Sequence, residues 1–423
     1  MAQTGLPPRR AAWYLLQEIT GEGRLMSELL GAGALDHLAP DDRARSQRLA
    51  VTTLRGLDRA DRMLKPYLIK RPPLEVQNAL RLGVIELCSG EAAHGVVNSY
   101  VEVVGRNKHV AKMKGLTNAV LRKIAAEGQA GWDNRAVPIL PKWLRQPLVD
   151  AWGRKAVHGI EVAHFTGAPL DLTAKGDAAA VAQATGGTLL PNGSVRMKDA
   201  GQVSTLAGYD SGDWWVQDAA AAMPVQLVGD VQGRKVLDLC AAPGGKTLQL
   251  AAGGADVTAV DLSEGRMARV AENLARVGVP ARTVVSDAFA FADGNFDVVL
   301  LDAPCSATGT IRRHPDLPYA KDGSEFGQLI EQQGQLIDHA LTLLKPGGRL
   351  VFCTCSLLPD EGEVQVEGAL ARHPSVSVDR EASKKDWIAP DWLTEEGGIR
   401  LRPDYWADLG GMDGFYMAVL TKS

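Results

Sequence analysis

Apolar residues follow two different spacings along this chain. Up to about residue 130 they recur every three or four positions, which predicts helices with one buried face. These helices are expected to pack together as an all-α bundle. Helices are predicted in this way at residues 11–16, 48–54, 79–87, 97–106 and 116–124.

The helical spacing then fades into a mixed region. Residues 125–133 are rich in Gly and Ala and two prolines follow, so this stretch is interpreted as a linker. Further on, short alternating runs such as residues 170–174 lie between Gly- and Pro-rich turns. We therefore predict a helical domain over residues 1–130, followed by a linker and small α+β region over residues 131–229.

In the last part of the chain, short β-branched runs alternate with helical ones. This alternation predicts a mostly parallel, doubly wound α/β sheet of the Rossmann-like type. Residues 230–423 are therefore predicted to form the third domain. Strands are expected at residues 235–239, 256–260, 282–285, 296–301, 349–352 and 415–420, with helices at 266–277 and 328–344.

The composition is that of an ordinary globular protein, with 45% hydrophobic and 23% charged residues in a chain of 423. No run approaches the roughly 18 apolar residues of a membrane span, and the first residues lack the apolar segment of a signal peptide. The five cysteines have no regular spacing, which is typical of free thiols in a reducing compartment. We expect a cytoplasmic protein with no membrane contact.

Charge is distributed unevenly along the chain. Residues 1–130 contain 19 Lys or Arg and 13 Asp or Glu, a net charge of +6, whereas the rest contains 27 and 37, a net charge of -10. Clustered basic residues favour nucleic acid through counterion release, although solvated helix faces often carry as much charge. Charge alone leaves both interpretations of the front domain open.

A Gly-rich loop follows the first strand of the α/β domain. It ends in Gly-Gly-Lys-Thr, yet a P-loop needs a glycine where Cys240 stands, and no Gly-x-Gly-x-x-Gly motif is present. S-adenosylmethionine fits better, because its ribose needs a carboxylate and its cationic groups favour an acidic rim. A lone Asp after a strand more often caps a helix or turn, but here four successive strands each end in one. These acids are Asp238, Asp261, Asp287 and Asp302.

Two cysteines follow buried strands that are fifty residues apart. Cys305 comes after the strand at 296–301 and Cys355 after the strand at 349–352, and the carboxyl ends of parallel strands meet at one edge of a sheet. We therefore predict one pocket with two thiols. The other three cysteines are interpreted as small buried side chains, and no group has the spacing of metal ligands.

Two thiols beside a methyl donor indicate methylation of carbon 5 of a pyrimidine. That carbon is a weak nucleophile until a thiolate adds to carbon 6. N3 of the ring must be protonated or hydrogen-bonded as the thiolate adds, a role for Asp302 if its surroundings keep its proton. The proton on carbon 5 must then leave before the thiol is released, a step that the second thiol could assist.

Several motifs together resemble the Sun-type RNA cytosine-5 methyltransferases, and in particular the bacterial ribosomal RNA branch with an N-terminal domain similar to NusB. The resemblance covers nearly the whole chain. It implies an all-α NusB-like RNA-binding domain, then a small α+β region and a class I S-adenosylmethionine-dependent methyltransferase domain. The motifs are Cys-Ala-Ala-Pro-Gly-Gly-Lys at residues 240–246, Asp-Ala-Pro-Cys-Ser at 302–306, Arg-His-Pro-Asp at 313–316, Thr-Cys-Ser at 354–356 and Gly-Gly-Met-Asp-Gly-Phe at 410–415.

The resemblance also implies roles for single residues. Cys355 is the expected nucleophile, Cys305 is expected to assist product release, and RNA, expected to be 16S ribosomal RNA, is the substrate. We expect a monomer that uses no metal. The expected contacts with S-adenosyl-L-methionine are Cys240, Ala241, Ala242, Pro243, Gly244, Gly245, Lys246, Asp261, Asp287 and Asp302.

One departure from the family and two alternative functions stay open. Where the family usually carries an Arg and an Asn after a Pro-Pro-Leu-like strand, this chain offers only Lys175, which leaves the RNA-positioning contacts and the target RNA, ribosomal or transfer, undecided. The first alternative is DNA cytosine-5 methylation, in which Cys305 would be the attacking thiol. The second is an RNA-binding antitermination or assembly factor with a vestigial methyltransferase half.

Overall fold

The computed structural model describes residues 5–198 and 201–423. The α-helices are α1 (Leu6–Glu22), α2 (Met26–Gly31), α3 (Pro40–Arg55), α4 (Leu57–Leu64), α5 (Leu74–Cys88), α6 (Ala93–Arg106), α7 (Lys114–Asp133), α8 (Lys142–Thr166), α9 (Ala178–Thr185), α10 (Ala219–Val228), α11 (Gly245–Ala252), α12 (Glu264–Val277), α13 (Leu317–Ala320), α14 (Phe326–Leu343) and α15 (Glu363–Arg372). The strands are β1 (Leu170–Ala174), β2 (Thr188–Leu189), β3 (Val195–Met197), β4 (Trp214–Val216), β5 (Lys235–Leu239), β6 (Asp256–Asp261), β7 (Arg282–Val285), β8 (Phe296–Asp302), β9 (Leu344–Thr354), β10 (Val376–Val378), β11 (Ile399–Leu401) and β12 (Phe415–Lys422).

The described residues form two compact units. One, called here the helical unit, contains the chain up to Gly167 together with Ile311–Gly323. The other, the sheet unit, contains Ala168–Thr310 and Ser324–Ser423. The predicted division at residues 130 and 229 therefore differs from these units, because α8 belongs to the helical unit and the α+β region belongs to the sheet unit.

Helix α5 lies at the centre of the helical unit. Every residue from Val76 to Cys88 is buried, as expected for a helix that packs against neighbours on all sides. Its buried charged side chains are paired, and Arg81 donates to Asp61 at 2.6 Å. Glu86 likewise accepts from the Arg9 guanidinium at 2.8 Å. The predicted all-α bundle is confirmed.

The predicted linker at residues 125–133 is wrong. Helix α7 continues through it to Asp133, with a break only at Gly128, whose φ is 55°. Trp132 packs against the core of the helical unit, and the Arg59 guanidinium lies 5.1 Å from the centre of its ring. Packing of this indole against residues distant in sequence, together with the helix-favouring alanines, outweighs the unfavourable helix propensity of Gly128 and Gly131.

A segment predicted to belong to the α/β domain lies instead in the helical unit. Within Ile311–Gly323, the Asp316 carboxylate accepts from the Met26 backbone N–H at 2.8 Å. The Trp143 indole donates to the Pro318 carbonyl at 3.1 Å. The Arg-His-Pro-Asp motif at residues 313–316 thus forms part of the helical unit.

The sheet unit begins with a small antiparallel sheet of order β2-β3-β1-β4, flanked by α9 and α10, which agrees with the predicted α+β region. A buried ion pair joins β1 to β3, with the Arg196 Nη2 atom 2.6 Å from the Asp171 carboxylate. Arg196 also donates to the carbonyls of Leu409 and Gly411 at 2.8 and 2.7 Å. The small sheet therefore fixes the loop before β12.

The large sheet has the order β10-β12-β9-β8-β5-β6-β7, and β11 pairs with β12. Strands β5 to β9 pair in parallel, whereas β12 runs antiparallel to β9. The order reverses at β5, which places a crevice at the carboxyl ends of β5 and β8. The predicted Rossmann-like fold is confirmed.

In residues 5–198 and 201–423, no helix has both the length and the apolar character needed to cross a bilayer.

We predict that Glu86→Ala destabilises the helical unit by about 3–5 kcal/mol, because it leaves the buried Arg9 guanidinium without its carboxylate. The Tyr100 hydroxyl, which donates to Glu86 at 2.6 Å, would also lose its partner. Urea unfolding followed by helical circular dichroism measures the change. Glu91→Ala is the control, since Glu91 is 50% exposed and 3.7 Å from Arg45. Equal unfolding midpoints for the two variants would contradict the prediction.

Candidate active site

The predicted cofactor loop connects β5 to α11 through a constrained backbone. Cys240 has a φ of 64°, a left-handed conformation that residues other than glycine rarely adopt and that often marks functional sites. Gly244 has a φ of 99°, and a Cβ there would lie 3.1 Å from the Val270 side chain. The loop therefore lies close to α12 and directs its backbone N–H groups at the start of α11 toward the crevice.

Asp261 holds this loop against the end of β6. Its carboxylate accepts from the Ala242 backbone N–H at 3.1 Å and from the Ser263 N–H at 3.0 Å. The next side chain, Leu262, is 71% exposed. A carboxylate, an exposed apolar side chain and a helix N-terminus at one sheet edge fit the ribose, the base and the carboxylate of S-adenosylmethionine.

Two other predicted acids have local roles. Asp238 lies inside β5, fully buried, and accepts from the Thr247 hydroxyl at 2.5 Å. Burial raises the pKa of Asp238 to about 7. Its expected place on the acidic rim is therefore wrong, because its side chain points into the protein. Asp287 is exposed and caps a short 3-10 helix by accepting from the Phe289 N–H at 2.8 Å.

Asp302 ends β8 in an ion pair with Lys246, whose Nζ atom lies 2.7 Å from its Oδ2 atom. Burial by itself would lower the pKa of Lys246, but the charge of Asp302 and this hydrogen bond raise it. Cys353, expected to be only a buried apolar side chain, has its thiol 3.5 Å from Asp302 Oδ1. The predicted role of Asp302 as a proton donor required surroundings that keep its carboxyl group protonated. The structure instead places the Lys246 ammonium 2.7 Å from this carboxyl group.

The structure brings the two predicted thiols together. The Sγ atoms of Cys305 and Cys355 are 3.5 Å apart, on the loops after β8 and β9. The hydrogen bond to Cys355 raises the pKa of Cys305 well above its usual value, and burial adds to this effect. Either thiol can donate to the other sulfur in this contact.

Sequence reasoning missed a buried carboxylate behind the thiols. Glu361 is fully buried and accepts from the Ser306 hydroxyl and the Ser356 hydroxyl, each at 2.5 Å. Each of these serines directly follows one of the two cysteines. A repeated Cys-Ser pair with a glutamate six residues after Cys355 was the only signal in the sequence.

Lys175 lies in the sheet unit, at the place where the family usually carries an Arg and an Asn. Its Nζ atom donates to the Val277 carbonyl at 2.7 Å, at the end of α12. The five cysteines are free thiols. Across the described ranges, no three His, Cys, Asp or Glu side chains are grouped as ligands of one metal ion.

Comparison with known proteins identifies the family. The model of the 16S rRNA methyltransferase RsmB/F family matches residues 225–421, and that of the NusB family matches residues 6–126. Ribosomal RNA small subunit methyltransferase B of Erwinia tasmaniensis is 34% identical over 443 residues, which is 98% of each chain. The enzyme of the same name from Pseudomonas putida is 35% identical over 449 residues, again 98% of each chain.

The chain belongs to the 16S rRNA methyltransferase RsmB/F family. The crystal structure of PH0851 has the same fold, with a TM-score of 0.74 and 21% identity over 98% of this chain and 99% of that one. Membership of the RsmB/F family confirms the predicted cofactor, S-adenosyl-L-methionine.

We predict that Cys355→Ala speeds the alkylation of Cys305 by iodoacetamide at mildly alkaline pH. The hydrogen bond to Cys355 is the main cause of the raised pKa of Cys305, so its removal lowers that pKa and increases the reactive thiolate. A fall of one pKa unit raises the thiolate fraction about tenfold. Mass spectrometry of the alkylated peptides measures the rate.

Cys88 is the internal control for this experiment. Burial raises the pKa of Cys88 to about 11, and this residue lies in the helical unit, so its rate should not change. An unchanged rate for Cys305 would show that the hydrogen bond does not control its protonation.

Proposed function

We propose that this protein methylates carbon 5 of a cytidine in RNA, with 16S ribosomal RNA as the substrate. The two thiols 3.5 Å apart at the carboxyl ends of β8 and β9 are the observation that supports this chemistry. The name of the family and of its relatives supports the choice of 16S ribosomal RNA. Action on that RNA would place the protein in the cytoplasm, as its free thiols predict.

Cys355 is the proposed nucleophile. Its thiolate forms a bond to carbon 6 of the ring. The electron pair of the double bond between carbons 5 and 6 then forms a double bond between carbons 4 and 5, and the pair between carbon 4 and N3 moves to N3, which leaves carbon 5 as an enamine-like nucleophile. Cys305 donates to the Cys355 sulfur and so stabilises the negative charge before attack. The resemblance to the Sun-type RNA cytosine-5 methyltransferases favours Cys355 over Cys305 as the attacking thiol, because Cys355 lies in the matching Thr-Cys-Ser motif at residues 354–356.

The ion pair of Lys246 and Asp302 joins the start of α11 to the end of β8, the strand that Cys305 follows. The Lys246 ammonium has three N–H donors, and one of them can serve N3 or the carbonyl oxygen of the ring as charge develops there. Asp302 holds Lys246 in place and can accept from the amino group that distinguishes cytosine. Residues 240–246, Asp261 and Asp287 complete the proposed cofactor site. When bound there, S-adenosylmethionine supplies the methyl group.

Release of the product needs two further events. The proton on carbon 5 leaves to a base, and the bond between carbon 6 and the Cys355 sulfur breaks as the ring double bond re-forms. The Cys305 thiol is placed to give its proton to the departing sulfur, 3.5 Å away. Cys305 is therefore assigned to the release step.

We predict that the wild-type protein transfers tritium from S-adenosylmethionine to 16S ribosomal RNA that lacks this modification, and not to transfer RNA or to DNA. Digestion to nucleosides should recover the label in 5-methylcytidine. Label in another nucleoside would contradict the chemistry, whereas 5-methylcytidine in transfer RNA alone would contradict only the substrate. Binding of 16S ribosomal RNA with no transfer would favour the antitermination or assembly factor.

The two cysteine variants should fail in different ways. Cys355→Ala should abolish both methyl transfer and the covalent protein–RNA adduct, because no thiolate remains to attack carbon 6. Cys305→Ala should form the adduct and accumulate it, because release is slowed. Denaturing gels measure the adduct, with Cys88→Ala as a control that should behave like wild type. The opposite pattern would make Cys305 the nucleophile.

A further inference from the structure

We propose that Glu361 is the positioning residue that holds the two reactive thiols at their working separation. This inference rests on the proposed function, since it assigns Glu361 a part in the same reaction. Glu361 touches neither sulfur. It would act through the residue that follows each cysteine.

Both oxygens of the Glu361 carboxylate are used. Oε1 accepts from the Ser306 backbone N–H at 2.8 Å and from the Gln333 amide at 3.0 Å. Oε2 accepts from the Ser306 hydroxyl and the Ser356 hydroxyl, both at 2.5 Å. One carboxylate thus joins the loop of Cys305 to the loop of Cys355.

A wider set of hydrogen bonds extends this link along both loops. The Ser356 hydroxyl accepts from the Leu358 N–H at 3.0 Å, and the Thr308 hydroxyl accepts from the Leu357 N–H at 2.9 Å. The hydroxyls of Ser306 and Ser356 lie 3.2 Å apart. Because these side chains are buried, water cannot replace a lost partner, and an unpaired donor would force the loops to rearrange.

The carboxylate of Glu361 presents two accepting oxygens to four surrounding groups. Each of these groups can donate, and each oxygen accepts from two of them. A glutamine has nearly the same shape but replaces one accepting oxygen by an NH2 group. In Glu361→Gln the amide oxygen can keep the two donors at Oε1, while the NH2 group takes the position of Oε2, so both serine hydroxyls must turn from donating to accepting. The substitution therefore changes the link to both cysteine loops while preserving volume.

The thiols need such a link because attack and release depend on geometry. A misplacement of about 1 Å at a reacting centre costs about a hundredfold in rate. Cys305 and Cys355 lie on separate loops, with fifty residues of chain between them. The contacts of Glu361 with Ser306 and Ser356 bridge these loops directly behind the sulfurs.

The test is steady-state methyl transfer to 16S ribosomal RNA by Glu361→Gln. We expect kcat to fall about 10- to 100-fold, with the KM values for S-adenosylmethionine and for RNA changed less than about twofold. The hydrogen-bond partners of the Glu361 carboxylate are Ser306, Ser356 and Gln333, which lie outside the proposed cofactor loop at residues 240–246. Equilibrium binding of S-adenosylmethionine by Glu361→Gln should therefore match wild type. A kcat within threefold of wild type, or a fall that appears mainly in KM, would overturn the proposal.

Glu396→Gln is the matched control. Glu396 also accepts from two hydroxyls, those of Thr394 and Tyr416, each at 2.5 Å, and it lies in the sheet unit outside the cysteine loops. Its kcat should stay within about threefold of wild type. An equal fall of kcat in both variants would show that Glu361 acts only through the general stability of the sheet unit, and would overturn the proposal.

Two single-hydroxyl variants keep the proposal testable if Glu361→Gln fails to fold. Ser306→Ala should loosen the loop of Cys305 and raise the amount of trapped protein–RNA adduct, because release slows. Ser356→Ala should loosen the loop of Cys355 and lower the amount of adduct, because attack slows. Identical adduct levels in both variants and wild type would overturn the proposal. Absence of methyl transfer by wild type would instead count against the proposed function itself.

Discussion

The parallel pairing of β8 with β9 is the constraint on which the candidate site depends. Asp302 and Cys353 are partners in this register, so the loops after the two strands start at the same level of the sheet. The Ala303 N–H donates to the Cys353 carbonyl at 3.0 Å, which continues the pairing beyond the strand. A slip of one residue would turn alternate side chains to the opposite face and separate Cys305 from Cys355.

Buried polar and charged side chains are concentrated around this edge. Lys246 neutralises Asp302, while Glu361 is surrounded by donors of two loops. Buried ionic groups add little net stability, since their desolvation offsets much of the attraction between them. Their contribution here is to geometry, because they hold the donors, the thiols and the proposed cofactor loop in place before substrate binds. A site that is already ordered does not have to rearrange during the reaction.

In the helical unit, tertiary contacts produce domain boundaries that differ from those predicted from the sequence. Local spacing of apolar residues predicted α1, α3 and α5, because each buries one recurring face or more. The helical path through residues 125–133 and the place of Ile311–Gly323 were not predicted. Both depend on contacts with residues far along the chain, such as Arg59 with Trp132 and Met26 with Asp316.

The sequence by itself determined the Rossmann-like class and the position of two thiols directly after strands, because the period of apolar residues and the residues that follow a strand are local properties. Only the tertiary structure decided which acids face the crevice. Asp238 and Asp261 both follow the same strand-end pattern, yet the first is buried against Thr247 and the second holds the cofactor loop. The role of Glu361 was equally hidden, since its partner Ser306 lies 55 residues away and no local pattern encodes a hydrogen bond formed by folding.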